Sequence, residues 1–296
     1  TYNDFNTFYL QAASNTSGGS SGSPVINIAG DVVGLNAGGK TRAASSFYLP
    51  LGRVTRALSL IQEGRDVPRG TIEAVLRHKP FDELRRLGLT ESLEAEMRSA
   101  DDNAVGALVV EETVPDGPGW KSLQSGDIVV RINGDLIQKF QPLEAVLDNN
   151  VGKTVDVEIQ RGGKTQTYPL KVEDLHDLSP DEYVEFGQGV FHALSYQQAR
   201  NHSIPVEGVY VATSGYAFRR SGIAKRSVIL AIDGQPIKSL DDFYGVMKGL
   251  AHGKRVPVKY FRIKDPTHTQ IGVLVVDRLW YPLTRCLRDD ATGQWP

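Results

Sequence analysis

Hydrophobic and polar positions follow two periods along this chain, and the same succession of periods occurs twice. Alternation at Val155, Val157 and Ile159, and again at Val256 and Val258, predicts strands with one buried face. Spacings of three and four at Leu143, Val146 and Leu147, and at Phe243, Val246 and Met247, predict amphipathic helices over 142–149 and 240–249. Ahead of each helix a strand ends in a tight-turn pair, Asn133-Gly134 or Asp233-Gly234. Ahead of that strand lies a short apolar one, at 106–110 or 208–212, with a Gly- and Pro-bearing loop at 115–119 in the first copy. Each copy therefore reads as a partly open β-barrel with a helix beside one strand.

The spacing of the two copies is nearly constant. Gly134 and Gly234 lie 100 positions apart, Gly152-Lys153-Thr154-Val155 and Gly253-Lys254-Arg255-Val256 lie 101 apart, and the openings at Gly106 and Gly208 lie 102 apart. That period exceeds any solenoid unit and fits a duplicated small domain. The first sixty residues differ in kind. Residues 14–23 are small and polar, and two short strands follow at 24–28 and 32–36, turned at Ala29-Gly30-Asp31. Further on, Val54, Leu58 and Ile61 mark one face of a helix over 52–64.

Composition narrows the function classes. A chain of 296 residues is expected to hold two or three domains, and 40% hydrophobic with 23% charged residues is ordinary for folded protein. Thirty-three basic against thirty-five acidic residues give a net charge of −2, which removes an electrostatic nucleic-acid binder. The single cysteine, Cys286, excludes an internal disulfide and a thiolate zinc cluster and favours a reducing compartment. No apolar run approaches the roughly 20 residues of a membrane span, and residues 1–10 lack a basic leader region.

Three chemistries compete with a plain flexible linker for the Gly/Ser-rich stretch and its neighbours. Residues 34–41 fit the phosphate-loop pattern letter for letter, but the short, Pro-terminated segment after them offers no helix to cradle a phosphate. Gly18-Gly19-Ser20-Ser21-Gly22 fits the strand-to-helix nucleophile elbow, yet its flanks are polar on one side and extended on the other. The third fits both flanks: Gly19-Ser20-Ser21-Gly22-Ser23-Pro24-Val25 resembles the nucleophile loop of chymotrypsin-like serine proteases. Ser23 departs from the commoner glycine there and is small enough to fit.

The repeat resembles a PDZ domain twice over, across about 69–172 and 187–277. Protease end followed by PDZ pair is the domain order of the HtrA family, and Phe8-Tyr9-Leu10-Gln11, the strand at 31–37 and Phe47-Tyr48-Leu49-Pro50-Leu51 are similar to that family's barrel strands. Arg69-Gly70-Thr71-Ile72, residues 79–89, Asp174-Leu175-His176 and residues 195–200 are similar to its fungal, nuclear, pro-apoptotic branch. The resemblance implies a mainly β chain: residues 1–66 as the C-terminal part of a trypsin-like domain, 67–173 and 187–277 as PDZ domains, 174–186 as a linker. Residues 278–296 then lead toward a region not in this chain, as the His and Asp half of the barrel would be too.

The resemblance also assigns roles, within an ATP-independent serine endopeptidase. Ser21 is the nucleophile, the backbone N–H groups of Gly19 and Ser21 form the oxyanion hole, and Asn36, Ala37 and Gly38 hold the substrate backbone. A PDZ domain adds a peptide as an extra strand and holds its terminal carboxylate in a backbone loop. That places Arg69, Gly70, Thr71 and Ile72 at the first groove, with an open edge over 71–75 and Glu73 where such domains often carry glycine. Gly187, Gln188, Gly189 and Val190 take the same place at the second, with an edge over 190–194. Implied partners are protein or peptide substrates, peptide C-termini and a trimer of this chain, in the nucleus or cytoplasm, with no nucleic acid, membrane, metal or cofactor. The alternative is a non-catalytic PDZ adaptor with an inert Ser21. The six histidines are scattered without metal-ligand spacing, and Asn15-Thr16-Ser17 and Asn201-His202-Ser203 fit the glycosylation triplet.

Overall fold

The computed structural model describes residues 8–14, 16–40 and 45–295. Three antiparallel units follow one another, all built as open sheets rather than closed barrels. In the first, four strands run in the order Leu10–Ala12, Ser45–Pro50, Val32–Lys40 and Pro24–Ile26, and helix Leu51–Gln62 packs on them. Its sheet buries little: Gly34, Asn36, Ser46 and Pro50 face inward, while Ile26, Val32 and Val33 are exposed. The helix keeps Leu58 and Ile61 exposed, and its apolar face borders an open hollow beside Tyr9, Leu35 and Leu49.

The two repeats carry the cores. In the first, strands Lys164–Lys171, Thr154–Arg161, Ile128–Ile132, Gly106–Thr113 and Ala74–Pro80 lie side by side, with Asp135–Leu136 against Ile128–Ile132. Helix Phe140–Asn149 sets Leu143 and Leu147 onto Ile132, Val155 and Val157. In the second, the same positions a hundred residues on, Phe243 and Met247, pack onto Ile232, Val256 and Val258. Asn133 and Asp233 adopt left-handed φ of 53° and 52°, each followed by a left-handed glycine, so both turns are of the tight mirror-image kind. Ser239 caps helix Leu240–Gly249: its Oγ accepts from the Asp242 N–H at 3.1 Å while Asp242 accepts from the Ser239 N–H.

Two features go beyond the sequence expectation. Helices Phe81–Leu87 and Glu91–Ala100 close one end of the first sheet, burying Phe81, Leu84, Leu93 and Met97 against Ile128 and Val130. The second sheet extends past its expected limits. Strand Glu182–Phe186, read from sequence as linker, pairs with Gly189–Ala193, and strand Thr284–Leu287 from the tail pairs with its outer side. Val184 and Phe186 are fully buried, so the core draws on residues outside the repeated block.

Candidate functional site

Ser21 is exposed at the tip of a loop whose backbone is held from one side. Left-handed φ at Gly19 (93°) and Gly22 (82°) folds the loop back on itself, a conformation that glycine adopts without Cβ strain. The Gly22 N–H donates to Asn36 O at 2.7 Å, the Asn36 N–H to Ser23 O at 2.9 Å, and the Ser23 N–H to Ser20 O at 3.1 Å. The Asn36 side chain, itself buried, donates through Nδ2 to Ser20 O and to Ser20 Oγ, both at 2.9 Å. Ser20 Oγ in turn donates to Ser17 O at 2.7 Å. The backbone N–H groups of Gly19 and Ser21 donate to no described residue. The Gly18 N–H likewise has no acceptor among the described residues, and Gly19 with Ser21 is the pair that the resemblance assigns to an oxyanion.

Beside the loop lies a cleft of about 380 Å³ whose lining includes Thr16, Ser17, Ser21, Asn36, Gly38 and Lys40. A bulge between Asn36 and Gly38, where φ is 150°, turns the strand wall at this point, and Ala37 is exposed on it. Among the described residues, the lining contains no histidine and no carboxylate. The histidines lie elsewhere: His176 bonds Val67 O, His192 bonds Ala193 O, His202 bonds Gln198 O, and His268 bonds Asp265. Among the described residues no three His, Cys, Asp or Glu side chains are grouped to hold a metal, and no helix is long and apolar enough to cross a membrane. The phosphate-loop reading is overturned, because Gly34 to Lys40 form a strand and Lys40 lies over the Phe47 ring.

The residues read as the first PDZ groove lie together, and part of the groove is filled from within. Ile72, Ala74 and Leu76 face Phe140, Leu143 and Leu147 across about 360 Å³, and Phe8 enters it stacked on Phe140 at 6.3 Å. Helix Leu51–Gln62 docks at the same place, with Arg53 paired to Glu144 and Arg56 donating to Asn149 at 2.8 Å. The Gly70 N–H, expected to receive a ligand carboxylate, donates to the Asp148 carboxylate at 2.8 Å, and Arg69 lies 3.9 Å from it. Gly70 and Thr71 pair with Asp174 and Glu173, so the start of the expected open edge is already taken.

Glu73 has a φ of 52°, the conformation a glycine would take there, and is 4% exposed. Burial, then a hydrogen bond and repulsion from Glu173, raises its carboxyl to about 8. The folded chain therefore holds a proton that the unfolded chain gives up near pH 4.5. Stability from this group is complete in acid and is lost as pH rises toward 8. Glu73→Gln is expected to flatten the fall in thermal midpoint between pH 5 and 8, read by calorimetry. An unchanged slope would mean that Glu73 is ionised in the fold.

The second groove departs from expectation. Gly187 and Gln188 are the two central residues of a hairpin turn, with φ of 55° and 60°, rather than a carboxylate nest. The expected free edge at 190–194 is covered. Strand Gly189–Ala193 has Val209–Ser214 on one side and Glu182–Phe186 on the other, and the latter lies against helix Leu240–Gly249. The chain's own strand thus occupies the place of an added peptide. Sequence reasoning missed it because residues 182–186 alternate apolar and acidic side chains only briefly; Val184 and Phe186 were the available signal.

Comparisons with known proteins agree with this anatomy. Residues 87–172 match the model of the PDZ domain, residues 177–253 that of the PDZ-like domain, and residues 4–61 that of peptidase S46. Protease Do-like 7 of Arabidopsis thaliana is 44% identical over 99% of this chain and 28% of its own length. The pro-apoptotic serine protease nma111 of Aspergillus fumigatus is 44% identical over 99% of this chain and 29% of its own. Its namesake in Yarrowia lipolytica is 44% identical over the whole chain and 30% of its own length. The chain thus spans less than a third of the relatives it matches. Among solved structures, the HtrA-type protease AlgW with decapeptide covers 56% of the chain at 19% identity and a TM-score of 0.37.

Proposed function

We propose that the chain belongs to the HtrA-type serine proteases with tandem PDZ domains and that it carries the nucleophilic half of a peptide-bond hydrolase. The observation that supports this best is an exposed Ser21 between two unbonded backbone donors, beside a cleft. Ser21 Oγ attacks the scissile carbonyl, and the Gly19 and Ser21 N–H groups receive the oxyanion, each worth about 10²–10³ in rate. Asn36, Ala37 and Gly38 hold the substrate backbone along the bulged strand. The proton of Ser21 goes to a histidine oriented by an aspartate; no described lining residue supplies either one. These 296 residues alone therefore do not turn over peptides, and the longer enzyme does.

Substrates are proteins or peptides, in a pro-apoptotic setting like that in which the fungal relatives are named, and the proposal places the enzyme in the nucleus. The PDZ units engage them or regulate the barrel, with the first groove, 70–76 against helix Phe140–Asn149, the more open of the two. The trimer of the wider family belongs to the same proposal. A fluorophosphonate probe applied to the full-length enzyme tests the reading. Labelling mapped by mass spectrometry to Ser21, and absent in the 296-residue chain, is the expected result. No labelling of the full-length enzyme would favour the adaptor reading.

A further inference from the structure

Asn36 entered as a residue of the substrate cleft through its backbone, and its side chain has a separate position in the structure. It is 6% exposed, so its amide sits among protein atoms rather than in water. The amide's orientation is fixed by what it meets: Ser20 O is an acceptor, so the Nδ2 end faces it at 2.9 Å. The Oδ1 end is buried and accepts nothing from the described residues. A buried acceptor without a donor is a cost that an apolar side chain would avoid, and such costs concentrate where function requires a particular group.

The consequence follows from the planarity of one peptide. The carbonyl of Ser20 and the N–H of Ser21 belong to the same trans peptide unit and point in opposite directions. Whatever holds Ser20 O toward the strand also aims the Ser21 N–H toward the cleft. Two donors do this, the Ser23 N–H from within the loop at 3.1 Å and Asn36 Nδ2 from the neighbouring strand at 2.9 Å. Only the second ties the loop to a fixed element. It also grips Ser20 Oγ, while the Asn36 backbone bonds Gly22 and Ser23. Ser21 is thus anchored through the residue before it and the two after it, all by one asparagine.

We propose that the Asn36 carboxamide is a positioning residue for the oxyanion hole, keeping the Ser20–Ser21 peptide turned so that the Ser21 N–H faces the reacting carbonyl. The inference rests on Ser21 as nucleophile. Asn36→Asp keeps the shape and removes the donor, setting a carboxylate oxygen against Ser20 O. Asn36→Ala removes the contact without that repulsion.

In the full-length enzyme, kcat for a peptide substrate is expected to fall about 10- to 100-fold in Asn36→Asp, and less in Asn36→Ala, with KM nearly unchanged, because one oxyanion donor is misaimed. Affinity for a peptide boronate, whose adduct is tetrahedral, should fall in parallel with kcat. In the 296-residue chain the amide resonances of Ser21 and Gly22 should shift in Asn36→Asp while those of strand Ser45–Pro50 stay, which separates loop reorientation from loss of the sheet. A kcat within threefold of the parent overturns the proposal, as does a loss carried equally by KM. If Ser21→Ala itself leaves activity intact, the nucleophile reading falls and this inference with it.

Discussion

Replacing Ser21 with alanine in the full-length enzyme is expected to lower kcat for peptide hydrolysis by about 10⁶-fold, the loss typical of removing a serine nucleophile. The size follows from the kind of interaction lost. Binding groups that touch ground state and transition state alike change KM, whereas the atom that forms the acyl bond has no substitute. KM should therefore move little, since the bulged wall at Asn36, Ala37 and Gly38 stays in place. The loop should survive as well, because its bonds run through Ser20, Gly22 and Ser23 and no hydrogen bond to Ser21 Oγ holds it. A residual rate within a hundredfold of the parent would show that another residue attacks the substrate.

Truncating Phe191 in the second repeat should have the largest effect on stability. Its ring is fully buried, 4.5 Å from that of Phe218 and 4.9 Å from that of Phe243, in a core that also holds Phe186. Gly189 makes room for it, since a Cβ there would lie 2.7 Å from the Phe191 ring. Phe191→Ala removes a fully buried ring packed between those of Phe218 and Phe243, at a cost of about 3–5 kcal/mol. Phe191→Leu should cost appreciably less, because most of the volume remains. Hydrogen exchange resolved by residue is the proper readout, because a chain of several units does not melt in one step. Protection should collapse across Gly189–Ala193 and Val209–Ser214 and persist in Gly106–Thr113. A loss of less than about 1 kcal/mol would mean that the neighbouring rings refill the space.

How far the sequence alone reached depended on the range of the interactions involved. The tight turns at Asn133-Gly134 and Asp233-Gly234, the helix faces at Leu143 and Phe243, and the Gly/Ser-rich loop at Gly19 to Gly22 are local patterns, and each was legible. Helices Phe81–Leu87 and Glu91–Ala100 were legible in principle: Phe81, Leu84, Leu93 and Met97 keep helical spacing, and Gly88 ends the first with a left-handed cap. They were hidden by attention to the repeat, in which the second copy has only the short helix Tyr196–His202 at this place. What local pattern cannot carry is partnership across distance. Nothing in Gly70 announces that Asp148, on the far side of the domain sequence, occupies its N–H. Nothing in Gly187-Gln188-Gly189 distinguishes a carboxylate nest from a hairpin turn, because both need left-handed backbone. The buried role of Asn36 is equally silent, since asparagine on a strand usually marks an exposed or turning position.

The pairing of Thr284–Leu287 with Glu182–Phe186 also bears on how the molecule is made. Glu182 meets Leu287, so the strand and its partner leave the ribosome roughly a hundred residues apart. At about 5–20 residues per second, that is an interval of about 5–20 s, and over its last stretch of about 0.5–2 s, between Val275 and Thr284, the second repeat is complete with one flank unlatched. During it, the outer amides and carbonyls of residues 182–186 face solvent as a template for other nascent chains. Glu182 and Glu185 sit on that flank, and each places a negative charge where a foreign strand would approach. Arg285 then arrives with the missing strand and pairs with Glu182, cancelling one of those charges in the act of closing the sheet.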